Sequence, residues 1–493
     1  MKAIVIGAGV AGLSSACRLA ADGFEVKVLE RNAFVGGKLS TFSLGEYRFD
    51  RGPSLFTLPH LLEETFSYCG KRLEDYFSYV TESTGCHYFW KDGTQLQAAT
   101  NPEEFAKQAE DLFGVPAEQV AQYLQKSQWK YDLTKNVFVE NSLHRWSTYK
   151  QKGVASAALQ SFKLNPFTSL NSLNRRKLKH PKLVQLFDRY ATYNGSDPYQ
   201  TSGVMSMIPS LEFNQGVHFP VKGMQSISDA LYHLALDMGV SFHFSEGAEE
   251  IEIQEGKAKG VRSTKERYPA DVVVSNVDIF YTYTRLLKQP IKKRYDFRSF
   301  PSSSAIVFYW GMGKVFPELG LHNIFFSEDY KREFEQIFGD KTWPEDPTIY
   351  VHISSKVVKQ DAPEGKENWF VMVNLPAQEG EEVLLPEKQK AMKQLVLKRL
   401  SEALNVEVAS YIEEEEIMNP QKIEQKTGSF MGALYGGNSN SWQSAFLRHP
   451  NHTYIKGLYC AGGTVHPGGG IPLCLNSAKI TVNMIKDDIT IEA

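Results

Sequence analysis

Apolar positions along this chain keep two rhythms, and the points where one replaces the other mark its elements. Lys2–Ile6 (KAIVI) is an unbroken apolar run, which predicts a strand buried on both faces. Leu13, Ala16 and Leu19 then recur at helical spacing in a small-residue stretch that Gly23 ends. Glu25–Leu29 (EVKVL) predicts a second strand, with Glu30 at its end. Between the first strand and the helix stands GAGVAG, which places glycines at Gly7, Gly9 and Gly12.

That order has a physical reading. Gly7 permits a tight strand-to-helix turn, Gly9 lets the backbone approach a pyrophosphate, and Gly12 lets the helix lie close to the sheet. The free amides and positive end of the helix then hold phosphates. Glu30, eighteen positions beyond Gly12, is placed to accept hydrogen bonds from two ribose hydroxyls. On these residues alone the dinucleotide is NAD or FAD.

Further along, RNAFVGGKLSTF carries Gly36 and Gly37, which permit a backbone path closed to other residues. Lys38 reads either as a contact to phosphate or flavin or as an exposed loop lysine. Asp50, Gly52, Pro53 and Ser54 predict a tight turn. From Leu58 to about Gly216 the pattern turns helical. A helix is predicted over Pro59–Tyr68, a hairpin around 91–94, a capped helix from Asn101 to Gly114, and more helix to about Tyr149. Residues 155–173 are apolar and hydroxyl-rich, and Arg175, Arg176, Lys177, Lys179 and Lys182 follow. This segment reads either as a membrane-surface anchor, its cations facing anionic lipid, or as a partly buried helix with a solvated basic end.

Strand and helix alternate again over 219–278, ending in the buried run ADVVVSNVD. The nucleotide domain is therefore expected to be discontinuous, made of 1–58, 217–280 and 423–493. It would surround a substrate-binding and membrane-associating domain of 59–216 and 281–422. In that second unit, 303–310 and 369–374 predict strands and Pro386–Leu404 a helix. Glu413 to Glu416 reads as a solvated acidic face. Near the C-terminus the strand LYCA runs into Gly462 and Gly463, and Gly468, Gly469 and Gly470 precede Ile471, Pro472 and a last helix. This second glycine-rich helix start offers amides to a flavin ring. Together with Gly36 and Gly37 it tips the dinucleotide to FAD.

Composition limits the possibilities. Charged residues are 23% of the 493 and the formal net charge is -3, so no nucleic-acid partner is indicated. Cys17, Cys69, Cys86, Cys460 and Cys474 are odd in number and lack metal-ligand spacing, which predicts a reducing compartment without disulfides or a metal centre. The opening strand leaves no signal-peptide pattern. No run approaches the roughly 18 apolar residues that span a bilayer, so any membrane contact is expected to be peripheral. Nothing in the pattern specifies an oligomeric state.

The N-terminal string through STF, FDRGPSLF, FPVKGMQSISDAL, VVVSNVD and GLYCAGGTVHPGGGIPLCLNSAK together resemble the bacterial phytoene-desaturase family of FAD-dependent carotenoid desaturases. The resemblance spans the chain and leans to the hydroxycarotenoid 3,4-desaturase branch, without a diagnostic residue. It implies an α/β fold: a Rossmann-like FAD-binding domain of the amine-oxidase and phytoene-desaturase type, with an inserted helix-rich and mixed-sheet substrate domain. It implies that Gly7, Gly9 and Gly12 serve the pyrophosphate, Glu30 the ribose, and Ala248 or Glu249 the adenine. Lys38, Ser54, Leu55, Asn276, Gly463, Gly469, Gly470, Ile471 and Pro472 would border the rest of the cofactor. The implied substrate is a carotenoid, desaturated by hydride transfer to flavin N5 and proton loss. The implied location is peripheral (monotopic), on the cytoplasmic side of the membrane.

An apolar tunnel is expected, with Tyr190, Tyr193 and Phe213 as candidate lining. Arg51, Glu212 and His218 lie in stretches expected near the flavin, but each reads rather as a structural or surface residue, and no base is assigned. His466 is expected to cap its turn. The same motifs would serve a multi-step phytoene desaturase or a carotenoid isomerase or saturase. Outside that chemistry stand an amine oxidase and a flavin-free lipid-binding module on the same fold.

Overall fold

The computed structural model describes residues 1–149, 160–378, 386–441, 444 and 448–492. Of the apolar segment 155–173, the first five residues lie outside these. A five-stranded parallel sheet runs in the order Leu458–Cys460, Val272–Ser275, Lys2–Ile6, Glu25–Leu29, Ser241–His243. Its central strand is apolar and buried from Ala3 to Ile6 because both faces are covered. On one face the helix Val10–Ala21 packs against Ser226–Asp237 and Ile471–Glu492, burying Leu13, Ala16, Leu231, Leu234 and Ile480. On the other, Ile4 and Val273 meet Ile251, Val261 and Tyr268 of a three-stranded sheet.

A seven-stranded mixed sheet forms the second layer. Its order is Ile412–Met418, Ser304–Met312, Glu367–Leu375, Ile349–His352, His322–Phe325, Thr84–Phe89, Gln95–Ala99. The strand Ser304–Met312 is buried along its whole length, and its two faces do different work. Ile306, Phe308 and Trp310 pack under the helix Pro386–Leu404 through Val396 and Leu400. Ala305, Val307 and Tyr309 alternate to the opposite face, as the two-residue period of a strand requires, and meet Tyr47, Phe49 and Phe370. A helical layer comprising Pro102–Phe113, Ala117–Thr134, Leu170–Leu178 and Pro181–Asp188 closes one end around Phe105, Leu124 and Phe187.

Two expectations change here. The hairpin Thr41–Leu44 with Tyr47–Asp50 packs on the seven-stranded sheet through Tyr47 and Phe49, although its sequence neighbours belong to the dinucleotide loop. The acidic run 413–416 is part of the edge strand Ile412–Met418, and three of its carboxylates are engaged. Glu413 accepts from Tyr47 Oη at 2.6 Å and pairs with Lys366; Glu415 accepts from Trp310 Nε1 at 3.0 Å and pairs with Lys393; Glu416 pairs with Lys426.

Candidate functional site: a dinucleotide cradle opening into a cavity

The GAGVAG loop sits at the carboxyl end of the central parallel strand. Neighbouring strands there lead away on opposite sides, which is the usual ligand crevice of such sheets. Gly7 has φ +96°, which disfavours a side chain. A Cβ on Gly12 would lie 2.1 Å from the Gly7 carbonyl oxygen, so only glycine allows this helix-to-strand approach. A Cβ on Gly9 would fall 2.7 Å from Asn276 Oδ1 and fill the cradle. The amide of Leu13 donates to Gly9 O at 2.9 Å. The amides before it form the helix's free first turn, and Val10 and Ala11 line the cavity.

Glu30 is 5% exposed. Its carboxylate accepts from Ala8 N at 2.7 Å and from Asn32 N and Nδ2 at 2.8 and 2.9 Å, which fixes it at the wall. Asn276 is held by donating Nδ2 to Ala461 O at 2.7 Å. The C-terminal loop closes over from the far side. A Cβ on Gly469 would lie 2.7 Å from the Tyr435 ring. Beside it, half-buried Arg448 donates to the carbonyls of Tyr435 and Gly437 at 3.1 and 2.9 Å, and desolvation pushes its pKa down to about 10.

One cavity of about 1210 Å³ joins these parts. Gly7, Gly9, Glu30, Lys38, Ser54, Leu55, Ala248, Asn276, Gly463, Gly469, Gly470, Ile471 and Pro472 all line it. Gly12 does not, lying beneath the loop it supports. Lys38 is not an exposed loop lysine. Its Nζ donates to Leu434 O at 2.7 Å, and burial lowers its pKa against the pull of Asp278 and Cys474. The cavity continues past Met205, Met207, Ile208 and Leu211 of the helical layer to Val307, Ile324, Phe370 and Met372 of the mixed sheet.

Other candidates separate. Tyr193 lines the cavity, whereas Tyr190 and Phe213 belong to the core of the helical layer, so those two are not lining residues. Arg51 and Glu212 reach the wall. His218 does not reach it: its Nδ1 accepts from Thr81 Oγ1 at 2.9 Å and its Nε2 donates to Gln215 O at 3.0 Å, a structural role between strands. His466 donates Nε2–H to Asn141 O at 2.8 Å, tying its loop to the helical layer, and burial lowers its pKa to about 4. Arg189, Asn194, His322 and Tyr350 also line the wall. Arg189 and Asn194 bound the short helix that carries Tyr193, and no local pattern marks any of the four.

A flanking glycine cradle, a helix start, a ribose-height carboxylate and a second amide-rich loop fit FAD. The family of flavin containing amine oxidoreductases matches the chain over residues 10–485. The chain belongs to that family and is an FAD-dependent oxidoreductase. A 1-hydroxycarotenoid 3,4-desaturase of a Flavobacterium species is 47% identical over 491 residues, covering 98% of this chain and 99% of the relative. A 4,4'-diapolycopene oxygenase of a Methylomonas species is 30% identical over 99% of this chain and 98% of its own. The crystal structure of an oxidoreductase from Methanosarcina mazei has the same fold, with TM-score 0.62 at 17% identity over 99% of this chain and 100% of that one.

Proposed function

We propose that this protein is a carotenoid desaturase that introduces C=C bonds into a polyene, by 3,4-desaturation of a hydroxylated carotenoid. The observation that carries the reading is the continuity of the cavity from the dinucleotide cradle into a long wall of Met, Ile, Leu, Val and Phe. Full-length similarity to a desaturase of hydroxylated carotenoids supports it.

What FAD supplies when bound is a hydride acceptor beside an allylic C–H bond. The first-turn amides beyond Gly9 bind the pyrophosphate, Glu30 the ribose hydroxyls and Ala248 the adenine edge. Lys38, Ser54, Leu55, Asn276, Gly463 and 469–472 border the remainder. Met205, Ile208, Leu211 and Phe370 hold the polyene by burial, worth about 25 cal/mol for each Å² removed from water, and exclude solvent from the reacting carbons. Positive charge left on a polyene spreads along its conjugated carbons, so the wall needs little counter-charge. A primary amine would gain nothing from such a wall.

Expression in cells that make acyclic and hydroxylated carotenoids, with pigments separated by chromatography and weighed by mass spectrometry, tests the reading. Products lacking two hydrogens and absorbing further to the red are expected. An unchanged mass would mean isomerisation, and added oxygen would mean oxygenation; either result overturns desaturation.

Membrane association belongs to the same proposal. Among the described residues no helix is long and apolar enough to cross a membrane. Phe162 and Phe167 are 70% and 90% exposed, and Lys163 and Arg175 to Lys177 stand exposed in the same segment. Apolar rings flanked by cations suit insertion at an anionic surface, here the cytoplasmic leaflet from which a carotenoid is drawn. Lys182 takes no part, being bound to Asp92 and Thr94.

A further inference from the structure

Two hydrogen-bonded polar groups stand in the cavity wall where it leaves the dinucleotide cradle. The first is a buried ion pair. Arg189 and Glu212 are 7% and 6% exposed, and Arg189 Nη2 donates to Tyr88 Oη at 2.7 Å and to Glu212 Oε2 at 3.2 Å. Tyr190 Oη donates to the same carboxylate at 2.5 Å, and Tyr193 Oη donates to its other oxygen. The second is a chain, Ser54 Oγ to Tyr350 Oη at 2.7 Å and Tyr350 Oη to His322 Nδ1 at 2.8 Å. The two groups are neighbours: the charge of Arg189 adds to burial in holding His322 well below the usual imidazole range.

Each group leaves one atom spare. Arg189 Nε and His322 Nε2 are buried without a hydrogen-bond partner, in side chains that line the cavity and are more than nine-tenths buried. Stability does not call for this arrangement, since replacing a buried ion pair by well-packed apolar residues is often neutral or stabilising. A hydrocarbon polyene offers these atoms nothing. A hydroxyl does, because it both donates and accepts and so answers the Arg189 N–H and His322 Nε2 in either tautomer. Left unbonded in an apolar cavity, that hydroxyl would carry an uncompensated desolvation cost.

We propose that Arg189 and His322, braced by Glu212 and Tyr350, bind the hydroxyl of a hydroxylated polyene end. This rests on the desaturase reading above and sharpens it. In a 1-hydroxylated chain the carbon bearing oxygen is two bonds from C3. Whatever holds the oxygen therefore sets which C–C bond stands at the reacting centre. Ser54, at the other end of the histidine chain, lies in the 52–55 stretch that follows the glycine cradle along the same wall.

The test uses the FAD-loaded enzyme and two acyclic carotenoids alike except for the terminal hydroxyl, and reads the ratio of their kcat/KM values. The wild-type ratio is expected to favour the hydroxylated chain by about ten-fold or more, because a site built around a hydroxyl leaves its own polar atoms unpaired with the analogue. In His322→Phe, and in the double variant Arg189→Met with Glu212→Leu, the ratio should fall towards one, mainly through KM for the hydroxylated substrate. Flavin absorbance checks folding, and Tyr350→Phe serves if either variant fails to retain FAD. An unchanged ratio with both substrates slowed through kcat overturns the anchor and makes the imidazole a proton acceptor. A wild type that does not discriminate also overturns it. A wild type that holds FAD and converts neither carotenoid overturns the desaturase reading itself.

Discussion

Glu30 holds its carboxylate in place before any ribose arrives, through the amides of Ala8 and Asn32. Little ordering remains to be done on binding, and hydrogen bonds to a charged group are worth about 1.5–3 kcal/mol. Glu30→Ala should therefore weaken FAD binding by roughly ten- to a hundred-fold, measured by titrating the apoprotein and following flavin fluorescence. Unchanged affinity would count against the assignment. Lys38 and His218 show what a side chain's neighbours in sequence leave open. The lysine, open in the sequence to a cofactor contact or an exposed loop, is bonded to Leu434 O; the histidine, open to a place near the flavin or a structural role, is spent between strands. Both outcomes depend on residues far away in the chain.

Among the elements, the short helix Tyr330–Phe334 is pinned by one buried acid. Glu333 is 2% exposed and accepts from Ser327 Oγ at 2.7 Å and from Thr348 N and Oγ1 at 2.9 and 2.7 Å. Burial outweighs these bonds and raises its pKa from 4.5 to about 7. The folded state thus keeps a proton that the unfolded chain releases above pH 4.5. The stability this group contributes is complete below pH 4.5 and is lost as pH rises through about 7. Glu333→Gln keeps the shape, and the two hydroxyls can turn to accept from its amide. Thermal melts should show the variant more stable than the parent at pH 8 and without advantage near pH 4. A difference that does not vary with pH would refute this. The edge strand Ile412–Met418 makes the complementary point, since three of its acids find Tyr47, Trp310 and lysines that lie far away in the chain.

For the whole molecule, the proposed membrane contact rests on the face bearing Phe162, Phe167 and the cations of Leu170–Leu178. Burying each ring in lipid is worth about 1.5–3 kcal/mol. The double variant Phe162→Ser with Phe167→Ser should therefore lose at least about ten-fold in partitioning onto anionic vesicles while keeping its flavin. Cosedimentation measures this, and added salt should weaken the wild-type interaction. Binding that survives both changes would place the membrane contact elsewhere.

The dinucleotide cradle was legible from the chain alone because its demands are local. A strand, a turn that only glycine can make, a helix start and an acid must follow one another within thirty residues, so their order is itself the evidence. The parallel strands, the capped helix from Asn101 and the glycine-rich start of the last helix were readable for the same reason. The polyene cavity was not. Its wall draws Met205 from the helical layer, Val307 and Phe370 from adjacent strands, and Ser54 from the loop after the cradle. Arg189 and Glu212, and likewise His322 and Tyr350, meet across 23 and 28 positions. Partners of that kind leave no period and no spacing. Burial and sheet register bring them together, and only the folded chain decides which polar atoms remain without a partner inside it.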